Sequence, residues 1–127
     1  KSKSFFESQS LTLLKKNSID ILCLAGFMKI LSGNFIKKFS QPILNVHPSL
    51  LPKYKGLDTH ERAIKNKENF SGATIHKVTH KLDSGKIILQ KKVKILKSDN
   101  INSLKKKVLK IEHDIYPKAI AKFITNL

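Results

Sequence analysis

The chain has 127 residues, enough for one domain or most of one with a real hydrophobic core. Its 25 basic residues against 9 acidic ones give a formal net charge of +16, yet Arg62 is the lone arginine and aromatic residues are only 7%. The arginine forks and stacking faces of a specific nucleic-acid reader are therefore scarce, and the charge is expected to be a solvated lysine coat that attracts small anions. A single cysteine excludes an internal disulfide and fits a reducing compartment. With no bilayer-length apolar run and no signal-peptide pattern at Lys1, a cytoplasmic protein without a membrane partner, monomer or homodimer, is expected.

Taken in chain order, Phe5 to Lys16 carries Phe6, Leu13 and Leu14 at helical spacing. Ile19 to Leu24 is apolar and predicts a strand, with Cys23 buried in it as a small apolar residue. Ile30 to Phe39 returns to a helical period. Ile43 to Val46 predicts a short strand, and Pro48 stops it by removing a ladder donor. Ser49 to Gly56 fits neither helix nor strand and is expected to be an ordered loop that walls a site. Asp58 or Thr59 is the expected N-cap of a short helix reaching Asn66. Gly72 to Thr79 and Lys86 to Ile95 predict a strand pair. Asp99 or Asn100 opens a long helix with Leu104, Val108, Ile111 and Ile115 in one stripe, which Pro117 is expected to kink or interrupt.

Chemistry concentrates at the end of the Ile43 strand. Side chains two apart share a face, so Asn45 and His47 point to one side, and the carboxyl ends of strands are where open α/β sheets bind ligands. An amide that donates to an oxyanion, an imidazole that moves protons near neutral pH and a carboxylate, Asp83, that orients it form a parts list for acyl transfer to an amine. From the residues alone, His47 also fits a structural histidine with satisfied partners, and Asp83, followed by Ser84 and Gly85, also fits a turn. His76 is expected to sit behind the site at most. His60 and His113 have no second ligand at metal spacing, so no metal is expected.

Four stretches carry a resemblance. Leu24 to Leu31 (LAGFMKIL), Asn45 to Gly56 (NVHPSLLPKYKG), Leu82 to Gly85 (LDSG) and Glu112 to Pro117 (EHDIYP) closely resemble the glycinamide ribonucleotide formyltransferase family, over nearly the whole chain. The resemblance implies an α/β fold, a mostly parallel twisted sheet with flanking helices. It implies transfer of a formyl group from 10-formyltetrahydrofolate to the amine of glycinamide ribonucleotide in purine synthesis, with no metal. Asn45, His47 and Asp83 would be catalytic. Met28, Lys29, Ile30 and Leu31 would line the pterin pocket, and Thr79, His80, Lys81, Leu82 and Asp83 would form the folate loop, with Asn45 also touching the folate. Glu112 would bind the amine side of the substrate, while Leu109 departs from the polar residue expected there.

Related folate enzymes share the Asn, His and Asp set. The methionyl-tRNA formyltransferase differs after the glycine of the loop, and the deformylase has a second histidine where this chain has Pro48; Leu57, Asp58, Thr59 and His60 follow the glycinamide ribonucleotide type. Another folate-dependent formyltransferase or hydrolase, and a non-catalytic lysine-rich nucleic-acid-binding domain, are the alternatives. The family's first strand and glycine-rich phosphate loop have no counterpart in these residues. The chain is thus expected to be the C-terminal two thirds of a formyltransferase domain, 1–127, lacking one or two βαβ sections of about 30 residues each.

Overall fold

A computed structural model describes residues 2–27 and 30–126. Its elements are α1 (Lys3–Lys16), β1 (Leu22–Leu24), α2 (Gly33–Phe39), β2 (Ile43–His47), α3 (Thr59–Lys65), β3 (Phe70–Lys77), β4 (Ile87–Lys94) and α4 (Ile101–Thr125). Short polar side chains start the helices. Ser2 and Ser32 accept hydrogen bonds from the Phe5 and Phe35 amides, and Asn100 and Ser103 form a reciprocal capping box at α4. Asp58 occupies the position before α3 but makes no side-chain cap bond.

Among the described residues the strands form one open sheet in the order β1-β2-β3-β4. The α/β class and flanking helices match the expectation, and the sheet is mixed: β1 runs parallel to β2, whereas β2–β3 and β3–β4 are antiparallel. The Asp83 loop, residues 78–86, explains the last pairing, because a connection too short for a crossover returns the chain antiparallel. In the register, Asn45 faces His76 and His47 faces Thr74.

Alternation along β2 divides the interior. Leu44 and Val46 join Ala73, Ile75, Leu104, Val108, Ile111 and Ile115 in a core under α4. Ile43 instead packs with Leu31, Phe35 and Phe39 of the α2 side, and Asn45 and His47 share its side of the strand. Full burial of Leu104, Val108 and Ile75 contributes about 1.5–3 kcal/mol each to holding α4 on the sheet.

Two expectations are corrected. Cys23 is exposed, in a short β1 that has β2 as its one neighbour among the described residues. Pro117, expected to kink or interrupt α4, does not interrupt it, and the helix continues to Thr125. Its lost N–H bond is offset by packing, since Ala119 beyond it is fully buried and Ile120 and Phe123 lie against the same core.

Candidate active site

A cavity of about 580 Å³ opens where β2 ends. Its polar side holds Asn45, His47 and Asp83, delivered by β2 and by the loop between β3 and β4. His47 is 6% exposed, and its Nδ1 lies 3.5 Å from Asp83 Oδ2. The other ring nitrogen, Nε2, is 2.8 Å from the Tyr54 carbonyl oxygen, which only accepts, so Nε2 is the donor of that bond. Nδ1 is therefore the ring atom left to meet a reacting group.

Asp83 is placed by the backbone, with φ +47. Its Oδ2 accepts a hydrogen bond of 2.8 Å from the Gly56 amide, so the carboxylate is anchored to the loop after β2 independently of the imidazole. Gly56 has φ +86, a conformation that suits glycine. Gly85 serves close approach instead: a Cβ there would stand 1.6 Å from the Lys77 carbonyl oxygen.

His76, expected to sit behind the site at most, lines the cavity with these groups; it is 2% exposed, with Nδ1 3.2 Å from the Lys77 carbonyl oxygen and Nε2 3.4 Å from Asn45 Nδ2 and 3.8 Å from Asp83 Oδ1. Burial lowers its pKa, against the opposing pull of the Lys77 carbonyl and Asp83, with His47 adding to the lowering. The neutral tautomer that satisfies both contacts donates from Nδ1 and accepts from Asn45. One amide hydrogen of Asn45 is thereby held back, leaving the other for the cavity.

Of the other expected site residues, Ile30, Leu31, Thr79, Lys81 and Leu82 line the cavity. Met28 and Lys29 lie outside the described residues. His80 is not brought into the lining; it is exposed, its Cβ beside Gly33 at the start of α2. Glu112 and Leu109 both face the cavity from α4, with Lys105 and Ile101 in the same row. This row is offset by one residue from the buried stripe, so helical spacing alone could have found Lys105. Burial raises the Glu112 carboxyl above the usual carboxylate range, with His113 opposing; a cationic amine beside it would favour the charged form. Among the described residues no three His, Cys, Asp or Glu side chains gather as a metal site, and no helix is long and apolar enough to cross a membrane.

The Tyr116 hydroxyl, part of the EHDIYP stretch, lies 2.8 Å from the Leu24 carbonyl oxygen and 3.2 Å from that of Leu44. It ties α4 to the two parallel strands, and burial raises its pKa.

A family model described as formyl transferase matches residues 1–120. The chain belongs to the formyl transferase family. It is 43% identical over 120 residues to the human trifunctional purine biosynthetic protein adenosine-3, covering 94% of this chain and 12% of that protein. It is 44% identical over 110 residues to the phosphoribosylglycinamide formyltransferase of Haemophilus influenzae, covering 87% of this chain and 52% of that enzyme. The chain thus spans about half of this bacterial relative. Among solved structures, the phosphoribosylglycinamide formyltransferase of Brucella melitensis superposes with a TM-score of 0.89 at 45% identity, over 96% of this chain and 62% of that one. The enzyme of that name from Bacillus halodurans gives 0.91 at 36% identity, over 97% and 63%. The formyl transferase fold thus accounts for the order of elements.

Proposed function

We propose that this chain carries the reaction centre of an enzyme that transfers a formyl group from 10-formyltetrahydrofolate to the primary amine of glycinamide ribonucleotide, a cytoplasmic step of purine synthesis. One observation carries the reading: in a formyl transferase family member, Asn45, His47 and Asp83 meet at one cavity. Thr79, Lys81, Leu82, Ile30 and Leu31 would receive the folate. Glu112 would hold the substrate near its amine.

The amine nitrogen attacks the formyl carbon, forming a C–N bond and moving an electron pair onto the formyl oxygen. Asn45 donates its free amide hydrogen to that oxyanion, and His47 donates from Nδ1. The intermediate collapses by breaking the bond from the formyl carbon to the folate nitrogen N10, while a proton passes from the amine to N10. Asp83 Oδ2, 3.5 Å from Nδ1, orients the ring toward the cavity, and the separation leaves room to tighten when the site is filled.

The test is a transfer assay on the full-length enzyme with both substrates, following formation of tetrahydrofolate and of the formylated amine together. Equal yields support the reading. Tetrahydrofolate with free formate would make the enzyme a hydrolase, and absence of both products would end the catalytic reading.

A further inference from the structure

Resting on the assignment of His47 as the proton-handling group, we propose that Tyr54 is a positioning residue, latched by its phenol on the outer face of the loop so that its carbonyl fixes the imidazole on the inner face. The segment between β2 and α3 has two sides. Inward, the Tyr54 carbonyl oxygen lies 2.8 Å from His47 Nε2 and 3.3 Å from Ser49 Oγ. Outward, the Tyr54 hydroxyl donates to Glu68 Oε2 at 2.9 Å and accepts from Asn66 Nδ2 at 3.0 Å. Neither Glu68 nor Asn66 lines the cavity beside His47.

The backbone explains why a latch is needed. Tyr54 has φ +56, left-handed backbone that a residue with a Cβ adopts only when its surroundings over-determine it. Those surroundings are outside the cavity. The Arg62 guanidinium sits 5.3 Å from the Tyr54 ring centroid, and its Nη2 donates to the Lys55 and Leu57 carbonyl oxygens at 2.7 and 2.6 Å. Lys53 Nζ, 3.0 Å from Glu68 Oε2, holds the carboxylate that receives the phenol. The backbone on both sides of Tyr54 is thus pinned, and the rotation that would relax its φ, which would also swing its carbonyl off His47, is blocked.

The chemical consequence concerns which ring nitrogen works. With Nε2 held by the Tyr54 carbonyl, Nδ1 faces Asp83 and the cavity. Without that bond the ring is free to turn, and Nδ1 leaves the geometry in which it meets the reacting group.

The test uses the full-length enzyme with Tyr54→Phe, which keeps the ring and loses the hydroxyl, and Glu68→Gln, which keeps the shape of the acceptor and loses its charge. Two readouts are taken: steady-state kinetics and the ¹⁵N NMR signals of the His47 ring. The expected result is a drop in kcat of roughly ten- to a hundredfold with little change in KM, as for a reacting group slightly misplaced. The Nε2–H signal of His47 should move toward that of a free, exchanging imidazole in both variants. Unchanged ring signals overturn the proposal, even if turnover falls, because the loss would then be structural. Should Tyr54→Phe fold poorly, Glu68→Gln gives the same two readouts. The assignment of His47 fails separately: a His47→Ala enzyme with normal turnover removes that role while leaving the NMR test of the latch intact.

Discussion

The two sides of the cavity are built by different physics. On the side of β2, the 48–57 loop and Asp83, polar atoms at named positions fix one another: Ser49 Oγ donates to the Lys53 carbonyl at 2.6 Å, Thr74 Oγ1 donates to the Ser49 carbonyl at 2.7 Å, and Gln90 Nε2 donates to the Leu51 carbonyl at 2.9 Å. On the side of β1, Ile30, Leu31 and α4, the wall is mostly apolar, and Leu109 and Ile30 are 45% and 51% exposed. Hydrogen bonds have strict geometry and apolar contacts do not, so the first wall suits a reacting centre and the second a flat ring with a tail. Substitutions on the first side should therefore strike rate or stability sharply, and those on the second should grade affinity.

The largest expected effect is at His47. His47→Ala should lower turnover by about 10²–10⁴-fold while circular dichroism still shows a folded protein, because the group lost is an acid–base one. A turnover within twofold of the parent would contradict the division between the walls. Next in size, Gly85→Ala should cost about 1–3 kcal/mol in urea unfolding, since its Cβ collides with the Lys77 carbonyl. It should also disturb Asp83, two residues earlier. An unchanged midpoint would show that the loop relaxes freely.

The smallest effect is on pH dependence. His76, and His60 with it, have pKa values lowered by burial, so below the ordinary histidine value of 6.5 the unfolded chain binds protons that the folded chain refuses. Stability should then fall as pH drops below about 6.5, because the unfolded chain takes up protons there that the folded one does not. His76→Gln should flatten that slope in urea titrations at successive pH values. An unaltered slope would mean that His76 takes up its proton in the folded state as well.

Legibility in the sequence followed the same division. The α4 stripe was visible as apolar periodicity because that helix buries one face, and the strand containing Asn45 and His47 and the β3–β4 pair were visible as short runs rich in apolar and branched residues, β2 and β3 being buried on both faces. What stayed hidden depended on tertiary placement. Cys23 looks like a core residue in an apolar run, but among the described residues nothing pairs with the other side of its short strand and it is exposed. Pro117 looks like a helix break, but downstream packing of Ala119 overrides local propensity. At the site, the identity of the polar groups was readable from the spacing of Asn45 and His47 and from the motif around Asp83. The roles of Tyr54 and His76 were not, because they act through a backbone carbonyl and a cross-strand neighbour that only the folded register brings close.

The most direct test of the central claim is a structure of the full-length enzyme with a stable analogue of 10-formyltetrahydrofolate. The account predicts the atom standing in for the formyl oxygen within about 3 Å of Asn45 Nδ2 and His47 Nδ1, with Asp83 beside the same ring nitrogen and the Tyr54 carbonyl still on Nε2. An analogue seated elsewhere, with those two donors turned away from it, would contradict it.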